Sequence, residues 1–126
     1  MLWCTGIILV VDGYDGASNS ATEALADTDY IILHANTAQE AESMLFRLKH
    51  VVDLVVIDLE LPNETGHGIV ELLTNIRRRE ASRIIAQTSR QDESFLGSVS
   101  RLGVDAILLK PTSAKQLAGT VHAMLA

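Results

Sequence analysis

Short apolar runs alternate along this chain with segments whose apolar positions recur at helical spacing. The runs lie near residues 6–11, 30–34, 53–57, 83–87 and 105–109, and each predicts a strand. The run Leu54-Val55-Val56-Ile57 is apolar at every position rather than at every second one. That pattern suits a strand covered on both faces, as in a parallel sheet.

Five helices are predicted between and after the runs. Thr37-Ala38-Gln39-Glu40 is a capping box, with Ala41, Leu45 and Leu48 following at helical spacing. Ile69, Leu72, Leu73 and Ile76 share one face of the third helix, which Arg77-Arg78-Arg79 close. Phe95, Val99 and Leu102 line the fourth, which stops at Gly103, a natural residue just past a helix end. Leu117, Val121 and Leu125 mark the fifth, capped by Thr112-Ser113. The first, within 16–26, holds Ser18, Asn19, Ser20 and Thr22, all poor helix formers, so it relies on packing.

Strands alternating with helices over short connections predict an α/β fold with right-handed crossovers. At this length the expectation is one domain over residues 1–126: a three-layer, doubly wound, five-stranded parallel sheet of flavodoxin-like order 2-1-3-4-5.

Composition narrows the class. Apolar residues make up 48% of the 126 but aromatics only 4%, so the core is aliphatic. A net charge of −6 argues against nucleic acid as a partner of this domain. The single cysteine, Cys4, forms no internal disulfide and reads as a small core residue. No apolar stretch reaches the roughly 18 residues of a membrane span, and Met1-Leu2-Trp3-Cys4 lacks the basic flank of a signal peptide. A soluble cytoplasmic protein without membrane contact is expected.

Charge enters at the strand ends. Asp58 ends the third run, Asp12 ends Ile7-Ile8-Leu9-Val10-Val11, and Lys110-Pro111 follow Ala106-Ile107-Leu108-Leu109. Order 2-1-3-4-5 makes Asp12 and Asp58 neighbours in the crevice outside the carboxyl ends of the strands. A carboxylate there can attack phosphorus. The spreading negative charge then needs Mg²⁺ and a fixed cation. Asp12 suits the metal, Lys110 the cation, and the Thr88 hydroxyl a phosphoryl oxygen. Plainer roles stand beside these: Asp58 or Asp12 as a helix cap, Lys110 as a surface lysine, Thr88 as a strand-end hydroxyl. His34, His50, His67 and His122 show no ligand-like spacing and read as structural or exposed.

The ordered set Ile8-Leu9-Val10-Val11-Asp12, Val56-Ile57-Asp58-Leu59-Glu60-Leu61-Pro62 with Gly66, Thr88-Ser89, and Gly103-Val104-Asp105-Ala106 leading to Lys110-Pro111 resembles the receiver domains of two-component response regulators. The resemblance spans nearly the whole chain. It implies a signalling phosphoacceptor rather than an enzyme, although receivers assist their own phosphorylation and dephosphorylation. It further implies that Asp58 takes a phosphoryl group from a histidine kinase or histidine phosphotransfer protein, with Thr88 and Lys110 contacting that group. A cis bond before Pro111 is implied too. Tyr14, Ala17, Ser18 and Ala21 would border the donor-docking surface. The output partner is not named by the sequence, which is compatible with a homodimer.

Three departures from the family stand out. Gly13 replaces the second acid of the usual pair, in similar proteins the direct metal ligand. Asp12, Asp58 and Lys110 alone sum to −1, so Mg²⁺ affinity is expected to fall unless Glu60 or Asp15 joins Asp12 and Asp58. Glu60 is the preferred candidate, because the family's backbone carbonyl at that place faces the metal. Ile107 stands where a switching Tyr or Phe is usual, and Thr112 where a Phe is common. Two alternatives follow: a pseudo-receiver that binds partners without phosphorylation, and a flavodoxin-like electron carrier using the Gly13–Thr22 loop as a phosphate cradle. No Gly-x-x-x-x-Gly-Lys segment supports a P-loop.

Overall fold

The computed structural model describes residues 6–13, 20–26, 28–61, 66–79 and 82–125. The elements run β1 (Ile7–Val11), α1 (Ser20–Leu25), β2 (Ile31–Ala35), α2 (Ala38–Arg47), β3 (Leu54–Asp58), α3 (Gly66–Arg79), β4 (Arg83–Thr88), α4 (Glu93–Arg101), β5 (Ala106–Leu109) and α5 (Ala114–Leu125). All strand pairs are parallel and the order is β2-β1-β3-β4-β5. The apolar runs thus located each strand to within a residue.

The continuous runs are explained by a core on each face. Side chains alternate across a strand, and here both directions are covered. Leu9, Val11, Val55, Ile57, Ile84 and Ala86 pack with α2, α3 and α4 through Leu45, Leu72, Leu73, Ile76 and Val99. Ile8, Val10, Leu54, Val56, Ile85 and Leu108 pack with α1 and α5 through Leu25, Leu117 and Val121. Each large aliphatic side chain so buried contributes about 1.5–3 kcal/mol.

Local signals close the elements. The Thr37 hydroxyl accepts the Glu40 amide at 3.0 Å, while the Glu40 carboxylate accepts the Asn36 amide at 2.6 Å, one residue earlier than a standard capping box. Ser113, rather than Thr112, caps α5 by accepting the Gln116 amide at 3.0 Å. The Asp92 side chain caps α4. Gly103 follows α4 at φ +90°, a conformation that favours glycine.

One expectation needs correction. Ala21 is only 2% exposed and belongs to the core beneath α1 and α5, so it does not border a docking surface. Tyr14, Ala17 and Ser18, with which it was grouped, lie outside the described residues, as do Cys4, Asp15 and Pro62.

Candidate functional site

A parallel sheet delivers the carboxyl ends of its strands to one edge. Asp12 follows β1, Asp58 ends β3, Thr88 ends β4 and Lys110 follows β5. Asp12 is 7% exposed, Asp58 6% and Thr88 0%, so these polar groups require partners inside the protein.

Asp58 finds two. Its Oδ1 accepts from the Lys110 ammonium at 2.7 Å and from the Glu60 backbone amide at 2.8 Å. The first distance is that of a charge-assisted bond. Lys110 is held in position by its own amide, which donates to the Thr88 carbonyl at 2.8 Å, and it precedes a cis peptide bond to Pro111. Burial works against the Lys110 charge, but Asp58 and then Glu60 outweigh it and hold the ammonium above the usual lysine value.

Glu60 bridges the C-terminal ends of β4 and β5. Its carboxylate accepts the Thr88 hydroxyl, the Lys110 ammonium at 3.1 Å, the Ser89 hydroxyl at 3.0 Å, and the Ser89 amide at 3.0 and 3.2 Å. Burial pushes this carboxyl up. The Thr88 hydroxyl, the Ser89 amide and Lys110 together outweigh that and hold it below the usual glutamate value. The backbone explains the direction. Leu59 still donates to the Gln87 carbonyl at 2.9 Å, so the chain stays tied to β4 for one residue past Asp58.

Asp12 is drawn the other way. Its amide donates to the Ala35 carbonyl at 3.1 Å, and its Oδ1 lies 3.1 Å from Nε2 of His34. These two contacts are to β2, on the far side of β1 from β3.

The sequence therefore brought Asp58, Thr88, Glu60 and Lys110 into one cluster, but not in the arrangement expected for metal. Among the described residues no three of His, Cys, Asp and Glu form a group that could hold an ion. Asp12 reaches His34 on β2 while Glu60 reaches Thr88 and Ser89 at the end of β4, so among the described residues the expected set of Asp12, Asp58 and Glu60 forms no such group. Among the described residues these three carboxylates are therefore not gathered around one point.

Two contacts are not anticipated by the sequence, in which Ser89 enters only as part of the Thr88-Ser89 pair. Ser89 supplies both an amide and a hydroxyl to Glu60. His34, read as structural or exposed, partners Asp12. Its signal lay in register: His34 pairs with Val10, two residues before Asp12, hence on the same side of the sheet. Ile107 is partly buried against the α2–α4 core, and the Thr112 hydroxyl donates to the Leu109 carbonyl at 3.3 Å.

Comparison with known proteins agrees with this geometry. The family model described as "Response regulator receiver domain" matches residues 8–122. The chain is 30% identical over 118 residues to "Probable transcriptional regulator ycf27" of Porphyridium aerugineum, covering 94% of this chain and 47% of that protein. It is 30% identical over 113 residues to "Transcriptional regulatory protein AruR" of Pseudomonas aeruginosa, covering 87% and 45%. The chain thus spans about half the length of these relatives. Among solved structures, a two-component response regulator from Clostridium difficile aligns with TM-score 0.82 at 24% identity, covering 95% of each chain. The chemotaxis response regulator CheY4 of Vibrio cholerae aligns with TM-score 0.78 at 20% identity, covering 94% of this chain and 98% of that one. With the family model matching from β1 into α5, and with the fold those structures share, this chain belongs to the response regulator receiver domain family.

Proposed function

We propose that Asp58 is the phosphoacceptor of this receiver. The observation that carries the reading is the Lys110–Asp58 contact of 2.7 Å at the end of the central strand β3. It fixes one carboxylate oxygen. Oδ2, which receives no hydrogen bond from a described residue, is left to attack. The donor is a phosphohistidine on a histidine kinase or phosphotransfer domain. The Asp58 oxygen forms a bond to phosphorus as the phosphorus–nitrogen bond breaks, and the imidazole nitrogen keeps the electron pair and takes a proton. Charge on the transferring group is met by Lys110, the Thr88 hydroxyl and the Ser89 amide, a positioned set of donors.

Output passes to a partner or a further segment, in keeping with relatives named as transcriptional regulators. The test is incubation with acetyl phosphate, with and without Mg²⁺, followed by intact mass. A phosphoryl adduct absent from Asp58→Asn supports the reading. An adduct that persists in Asp58→Asn, or none in the wild type under either condition, overturns it.

A further inference from the structure

The donors that a phosphoryl group on Asp58 requires already hold an anion. Thr88, Ser89 and Lys110 converge on the carboxylate of Glu60, two residues along the chain from Asp58. Lys110 donates to both acids, at 2.7 Å to Asp58 and 3.1 Å to Glu60, so the two carboxylates flank one cation. A phosphoryl group bonded to Asp58 would place its oxygens among those same donors. A carboxylate and a phosphoryl group cannot both accept the Thr88 proton, since a hydroxyl has one to give.

We propose that the Glu60 carboxylate is a built-in occupant of the anion slot formed by Thr88, Ser89 and Lys110, and that a phosphoryl group enters only by displacing it. The inference rests on the reading of those three residues as phosphoryl-oxygen donors. Displacement is structurally feasible because the Glu60 side chain is 33% exposed, on a turn, with solvent available to receive it. The unphosphorylated domain consequently keeps Thr88 and Lys110 in an anion-engaged arrangement. Its phosphorylation is slowed by a charge of its own chain. Glu60 is here a positioning residue that holds the donor set and excludes a rival anion.

The test uses inorganic phosphate as the probe, followed by the backbone amide resonance of Ser89. In the wild type that resonance is expected to stay unmoved. In Glu60→Ala it should shift saturably, with phosphate bound at least about tenfold more tightly, as loss of a charge-assisted competitor implies. Glu60→Gln has the charge of the alanine variant but keeps an oxygen for Thr88 and Ser89, so an intermediate response is expected. Equal responses in wild type and Glu60→Ala, or no response in Glu60→Ala, overturn the inference. A Glu60→Gln response as full as that of Glu60→Ala does so too, because it assigns the effect to net charge alone. The titration involves no covalent step. An absent adduct at Asp58 beside the expected titration would therefore sink the phosphoacceptor reading and leave the occupant standing, and the reverse pattern would do the opposite.

Discussion

The Lys110 ammonium sits 2.7 Å from Oδ1 of Asp58, joining the end of β5 to the end of β3 across the intervening β4. The contact sets the orientation of Asp58 and supplies the positive charge nearest its carboxylate. Lys110→Ala removes both. Adduct formation with acetyl phosphate is expected to slow by about 10–100-fold, the range set by a charge-assisted hydrogen bond. Lys110→Arg keeps the charge but replaces a compact ammonium with a planar fork, so it should recover only part of the rate. Intact mass over time measures both. A Lys110→Ala rate equal to wild type would show that the contact has no role in transfer.

Glu60 and Lys110 give the domain a defined response to pH. The Glu60 carboxyl is held below its ordinary value of 4.5 in the folded chain, so the unfolded chain binds a proton first as pH falls. Its stabilising effect is present above 4.5 and is lost as pH falls through the depressed folded value. The Lys110 ammonium is held above its ordinary value of 10.5, so its effect is present below 10.5 and is lost as pH rises through the raised folded value. Urea midpoints of wild type and Glu60→Gln should differ by a constant amount from pH 5.5 to 8, and the difference should shrink in acid. A gap that widens in acid would contradict the sign.

Much of this was readable in the sequence, and the limits have physical causes. Apolar runs reported the strands because a strand buried on both faces leaves no room for polar residues, as with Leu54–Ile57. Gly103 reported a helix end because positive φ favours its backbone. Asp58, Thr88 and Lys110 were placed together by strand order alone. The direction of Glu60 was not legible. Spacing puts it on the turn after Asp58, but whether it faces Asp12 or Thr88 depends on the Leu59–Gln87 hydrogen bond, and hence on tertiary register. His34 was missed for a related reason, since its partnership with Asp12 exists only once β2 lies beside β1.

The two kinds of leucine at the sheet predict contrasting variants. Leu73 on α3 is fully buried in the larger core, so Leu73→Ala should cost about 2–5 kcal/mol from lost transfer energy and a cavity. Leu109 on the edge strand β5 is 40% exposed, beside Lys110. Leu109→Ala should change stability by less than about 1 kcal/mol. Chemical denaturation separates the two. The second variant is then suited to probing partner contacts at β5, because a loss of binding there would not trace to unfolding.

Gly103, just past the end of α4, lies against the Arg77 side chain of α3. Its φ of +90° strains any residue with a Cβ, and a Cβ there would fall 2.6 Å from Cδ of Arg77. The two effects can be divided. Gly103→Ala is expected to cost about 1–2 kcal/mol from backbone conformation, plus the shift imposed on Arg77. Arg77 is an exposed, flexible side chain, so its part should be the smaller. Adding Arg77→Ala to Gly103→Ala should therefore restore only the steric portion, leaving the backbone cost in place. Urea unfolding of the two single variants and the double variant reads the division directly. Full recovery in the double variant would show that the clash, and not the left-handed backbone, is what demands glycine at this position.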